Sequence, residues 1–281
     1  MKSNKLATFL LMLISAYFCI FLWSATGSER LALTTPKEQL NGKLEVAKDI
    51  FLTYHKDETN LDRSIEIFQN VLENEPDNLE ALLLLSRAWL TYGYIRASNN
   101  EEKIAAFQNG MDIAKRAIEI SPKSPDTHFY HAANMAALGK EQGVLKSLFR
   151  LRELRKELDI ILELDPEHAK GLALNGILYY TLPGPLGGDL EISEIYLRRA
   201  IRLEPHETVF KIYLAKNLSK QKRYDESREV LLEVIEEKDP KVYADWYFNK
   251  EKAKRMIAEL NEGEGKPEIP YTLNHFKIFG F

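Results

Sequence analysis

Three groups of side chains in this chain have the types and spacing to do chemistry. His128 and His131 stand three residues apart, so a helix would turn both rings to one side as a metal-binding pair. Gly187, Gly188 and Asp189 make a turn whose backbone N–H groups could cradle a phosphate or carboxylate at a helix start. Residues 146–156 set Lys146, Arg150, Arg152, Arg155 and Lys156 among Leu148, Leu151 and Leu154. That amphipathic stripe suits anionic lipid or an acidic partner.

Each group also has a plainer reading. No carboxylate or third histidine lies at matching spacing on the helix of His128 and His131. Both fall on the face expected to pack inward, so core histidines and no metal are expected. Pro183 and Pro185 would stiffen the loop, and Asp189 would cap the following helix through its carboxylate. A basic stripe is commonly a solvated helix face. The other histidines, His55, His168, His206 and His275, are scattered. No nucleophile elbow, P-loop, dinucleotide fingerprint or metal cluster occurs, so neither an enzyme nor a cofactor is expected.

Charge and cysteine usage narrow the classes further. Lys and Arg total 38 against 42 Asp and Glu, a net charge of −4 that argues against nucleic acid as a partner. The single cysteine, Cys19, lies in an N-terminal apolar run, so the folded body can hold no disulfide or CxxC zinc site. Residues 1–27 carry only Lys2 and Lys5 as charges, ahead of an uncharged run of 18 residues at 6–23. That run reads as a membrane anchor or as a cleaved signal peptide, with Ala25 and Gly27 as small residues near a cleavage site. The lysines precede it, so the body is expected to be exported. The expected place is a bacterial cell envelope, anchored at the inner membrane or free in the periplasm.

The elements that must position these groups are punctuated by proline. Pro76, Pro122, Pro166, Pro205 and Pro240 each close an apolar-periodic segment, at spacings of 46, 44, 39 and 35 residues. Such a mark at such an interval is the signature of a helical repeat array. Counting back from the prolines puts Ser64, Gly110, Leu154 and Ser193 in register, with Ser227 in the last unit. Phe68, Ala114, Leu158, Leu197 and Leu231 follow one turn later. Small residues at the first of these positions let paired helices approach. The expected divisions are 1–27 as anchor or signal, 28–36 as linker, 37–260 as an all-α repeat solenoid and 261–281 as a tail. The tail carries Tyr271, Phe276, Phe279 and Phe281, aromatics that must bury somewhere.

The pattern resembles the tetratricopeptide repeat, most closely at Tyr224-Asp225-Glu226-Ser227 with Leu231 and Val234. The resemblance implies a superhelix of helix pairs with a concave groove lined by the first helix of each pair. By register, the groove would hold Leu83, Arg87, Leu90, Phe129, Ala133, Ala173, Ile177, Tyr180, Ile212 and Lys216. It implies a protein partner, a peptide segment carrying acidic groups, and leaves oligomerisation open. The excess over 34 residues per unit is expected as inserts between paired helices at 93–109, 139–150 and 181–189. The last insert, with its Gly187-Gly188-Asp189 loop before a repeat helix, also resembles the T-component family of TRAP transporters. That second resemblance implies an accessory role beside a transporter's substrate-binding subunit, handling small organic acids. The lipoprotein cysteine expected of that family has no counterpart here.

Overall fold

The computed structural model describes residues 36–263. The apolar segment 1–27, the linker as far as residue 35 and the tail aromatics lie outside them. Among the described residues the chain is all helix, with no strand. Its helices are α1 Pro36–Phe51, α2 Thr59–Asn74, α3 Leu79–Ile95, α4 Asn100–Ile120, α5 Pro125–Gln142 and α6 Val144–Leu164. They continue as α7 Ala169–Thr181, α8 Leu190–Leu203, α9 Thr208–Lys220, α10 Tyr224–Glu236 and α11 Tyr243–Gly263. A 3₁₀ turn, Gly184–Leu186, lies between α7 and α8.

Four of the five proline turns share one geometry, and the one at Pro240 does not. At the ends of α2, α4, α6 and α8 the cap residues Glu75, Ser121, Asp165 and Glu204 each donate an N–H to the carbonyl four residues back, at 2.9 Å. Proline follows, and it can neither donate an N–H nor continue a helix. The chain then folds back, with the N–H groups of Asn78, Ser124, His168 and Glu207 on the same four cap carbonyls at 3.1–3.2 Å. These four residues are the N-caps of α3, α5, α7 and α9. One short motif thus both stops a helix and starts its successor.

From α2 onward each helix packs on the next, and α3, α5, α7, α9 and α11 also contact one another in sequence. The odd-numbered helices form the inner row of a solenoid. Small residues set the crossings: Ser86 Oγ donates to the Gly110 carbonyl at 2.8 Å, and Ser227 Oγ to the Ala215 carbonyl at 2.8 Å. Leu154 takes the corresponding place in α6. The α6–α7 contact is sparse compared with its neighbours, and the gap between them is a cavity to which Leu154 contributes a wall.

The first two expected inserts are not loops. They are absorbed as extra helical turns: α3, α4, α5 and α6 have 17, 21, 18 and 21 residues, whereas α7 to α10 have 13, 14, 13 and 13. Gly93, where the first insert is expected to begin, sits inside α3. A Cβ there would lie 2.3 Å from the ring of fully buried Phe107, so the residue is small to admit that ring. The first two leave the helical path only at 96–99 and at Gly143, whereas the last leaves it for eight residues, at 182–189.

Candidate functional site

The inner row carries the charged and aromatic groups of the array, in two clusters. The first joins α11 to the start of the solenoid. Arg87 on α3 donates to Asp245 Oδ2 on α11 at 3.1 Å, and Tyr54, in the turn after α1, donates its hydroxyl to Asp245 Oδ1. The Arg87 guanidinium also lies 5.2 Å over the Phe51 ring. Around this pair Tyr54 stacks on Phe248 at 5.7 Å, and His55 meets Tyr243 edge-on at 5.0 Å. Burial and the Asp245 charge both raise the Tyr54 phenol well above its usual range. Glu207, at the start of α9, is pushed up to about 7 by burial and then by Asp245, against the pull of Arg87.

The second cluster is made of lysines. Lys140 on α5, Lys216 on α9 and Lys252 on α11 converge, each lowered first by burial. Lys252 falls to about 6, with Lys216 and Lys140 adding their repulsion, and Lys140 falls to about 8. The ammonium of Lys216 lies 4.6 Å over the Tyr213 ring and that of Lys140 5.9 Å over Tyr94. Both rings also line the cavity between α5, α6 and α7, whose volume is about 380 Å³. Met135, Leu151, Leu154, Leu174, Ile177 and Leu178 make it apolar, and Lys140 and Arg150 supply charge. A few basic groups beside an apolar hollow of this size can hold a ligand with an apolar body and an acidic group.

The residues expected to line a groove are divided by the structure. Leu83, Arg87, Leu90, Phe129, Ile177, Tyr180 and Lys216 are half-buried on the inner row. Ile212 is fully buried in the core shared by α7 to α11, Ala173 is buried beside it, and Ala133 is buried in the core of α5 and α6. These three are packing residues. In α9 the inner row keeps Lys216, whose ammonium lies over the ring of Tyr213, itself buried in the same core as Ile212. Arg87 already has its acid, Asp245, a pairing that helical spacing cannot reveal. Further along, Asp126 bonds His168 at 3.4 Å and Lys170 at 3.0 Å, and both hold its carboxyl well below the usual range. The Lys170 ammonium lies 5.6 Å over the Phe129 ring and 5.4 Å over that of Tyr130.

The Gly187-Gly188-Asp189 turn is built as a helix cap. Gly187 takes φ +86°, the left-handed region that favours glycine. Asp189 Oδ1 accepts from the N–H groups of Glu191 and Ile192, both at 2.9 Å. The carboxylate of the chain itself therefore takes the donors that a bound anion would need. Arg155 braces the loop through the Leu186 carbonyl at 2.8 Å.

His128 and His131 are buried, as the inward face predicts. Their partner comes from the next helix: Glu157 Oε2 lies 2.7 Å from His128 Nδ1, and Glu157 Oε1 lies 3.5 Å from His131 Nδ1. The other ring nitrogen of His128 meets the Pro122 carbonyl at 2.9 Å. Burial would raise the Glu157 carboxyl, but hydrogen bonds from the two histidines outweigh it and lower it. Among the described residues no group of three or more His, Cys, Asp or Glu could hold a metal ion.

Comparison with known proteins places this geometry among repeat proteins. The family model "Regulator of microtubule dynamics protein 1-3" matches residues 44–183. Regulator of microtubule dynamics protein 1 of Mus musculus is 26% identical over 117 residues, 41% of this chain and 38% of that one. Its Bos taurus counterpart is 24% identical over 147 residues, 47% of this chain and 46% of that one. The chain thus spans less than half the length of these relatives. The crystal structure of TTC0263, a thermophilic TPR protein of Thermus thermophilus, superposes with a TM-score of 0.59 at 18% identity. It covers 77% of this chain and 99% of that one, and so establishes a tetratricopeptide-like solenoid fold.

Proposed function

We propose that this chain is a non-enzymatic scaffold, tethered to a bacterial cell envelope by its N-terminal apolar segment with the body exported, that binds a protein partner on its inner row. The observation that carries the reading is Lys140 in the wall of an apolar cavity, with the charges of Lys216 and Lys252 felt beside it. A peptide segment that presents an acidic side chain next to a bulky apolar one would satisfy both. Affinity capture on the full chain, followed by titration of the captured protein, tests the reading. Lys216→Glu should weaken binding by about tenfold or more, the loss expected when one buried charge pair is reversed. Binding unchanged by Lys216→Glu and by a cavity-filling Ile177→Phe would remove the inner row from the reading.

A second reading rests on the cavity alone. Its volume and its basic side chains also suit a small organic acid, as in an accessory subunit of a TRAP-type transporter. Thermal-shift titration with monocarboxylates of increasing chain length separates the two. A rise in Tm that grows with chain length favours the small acid. No shift with any of them, and no transporter protein captured, sinks it.

A further inference from the structure

The first half of α6 carries a feature that the inner row does not use. Phe149 is 86% exposed, and Leu148 beside it is 39% exposed, on a helix whose opposite side, Leu154 and Leu158, is buried in the core. Arg152 and Lys156 follow Phe149 at helical spacings that place them on its face, with Glu153 as the one acid among them, and all three are exposed. Arg155 flanks that face and braces Leu186. Two bases against one acid beside a bare aromatic make this face locally positive on a chain whose net charge is −4.

We infer that this face of α6 rests on an anionic lipid bilayer, with Phe149 inserted at the interface and Arg152 and Lys156 at the level of the headgroups. A protein partner would need a broader apolar patch than one ring and one half-exposed leucine. A fluid interface needs only a wedge and a few bases, because lipid closes around whatever enters. Charge complementarity then selects an acidic surface over a neutral one. The uncharged run at 6–23, long enough to span a bilayer, provides a reason for such a surface to be within reach of this chain.

The test uses the full chain, with Cys19→Ser and Phe149→Cys, labelled at residue 149 with an environment-sensitive fluorophore and reconstituted into vesicles. One set contains phosphatidylcholine alone, and the other contains added phosphatidylserine. The label should brighten and shift to the blue only with phosphatidylserine, and salt should reverse the change. Arg152→Glu with Lys156→Glu should abolish it, since each base near an anionic surface contributes about fivefold in partitioning. A label at Ile195, an exposed residue on α8, should stay unchanged, which separates docking of α6 from anchoring by the N-terminus. The inference fails if the label at 149 stays in water in both vesicles, responds equally to neutral lipid, or survives the charge reversals. It fails equally if residue 195 responds as strongly.

Discussion

Arg87 and Asp245 lie 158 positions apart in the chain and 3.1 Å apart in space. The first half of the solenoid and its last helix are joined through this pair, with Tyr54 as the third member.

The pair is 26% and 29% exposed, enough burial for its loss to register but short of a dry interior. Asp245→Ala should therefore destabilise the fold by about 1–3 kcal/mol in urea titrations, between the values for surface and fully buried pairs. Arg87→Ala combined with it should cost clearly less than the two single changes added, because the changes share one interaction. Additive costs would show that the contact carries no coupling energy.

Glu207 gives the stability a pH dependence. Its folded-state value of about 7 lies above the ordinary 4.5, so between those limits the folded chain holds a proton that the unfolded chain has released. The sign follows: this contribution is fully present below about pH 4.5 and is lost as the pH rises through 7. Glu207→Gln should flatten that decline and stabilise the protein at pH 8 by up to about 3 kcal/mol. Thermal melts between about pH 4 and 8, which bracket the transition, provide the measurement.

Lys252 acts in the opposite sense and higher in pH. Its folded value of about 6 lies below the ordinary 10.5, so across that window the unfolded chain holds the extra proton. Stability contributed through this group rises with pH from about 6 upward. Lys252→Met should reduce that rise, an effect visible in the slope of Tm against pH even if packing changes shift the whole curve.

Asp189 distinguishes capping from anion binding. Asp189→Ala removes an oxygen that serves two backbone donors and should cost about 1 kcal/mol, whereas Asp189→Asn should cost a few tenths. Phosphate should move the Tm of neither the native chain nor the variants. A phosphate-dependent rise that Asp189→Ala abolishes would restore the turn as a ligand site.

What is local in this fold can be read from the sequence. Pro76, Pro122, Pro166 and Pro205 mark the ends of α2, α4, α6 and α8 because a residue without an N–H cannot continue a helix beyond its first turn. Ser64, Ser193 and Ser227 are legible as packing positions, and all three are buried. The role of Gly93 is not legible, because nothing marks it as the glycine that admits a ring until Phe107 is placed. The candidate site is mostly out of reach. Periodicity reveals which face a residue occupies, but not which distant charge it meets. Arg87 can therefore be assigned to the inner face while Asp245 stays hidden, and Glu157 is invisible as the partner of His128. On α9 periodicity separates Lys216 correctly onto the inner row but cannot show that Ile212, one turn earlier, is packed in the core.

The link from Arg87 to Asp245 alters how this array can come apart. In a linear stack each unit leans only on its neighbours, so the ends loosen first and at little cost. Here the terminal helix is held by a residue of the third, and the nearest-neighbour chain becomes a closed circuit. A guest that must pry that circuit open binds at the expense of the fold's own cohesion. A protein weakened at Asp245 would then hold such a guest more tightly than the intact one does.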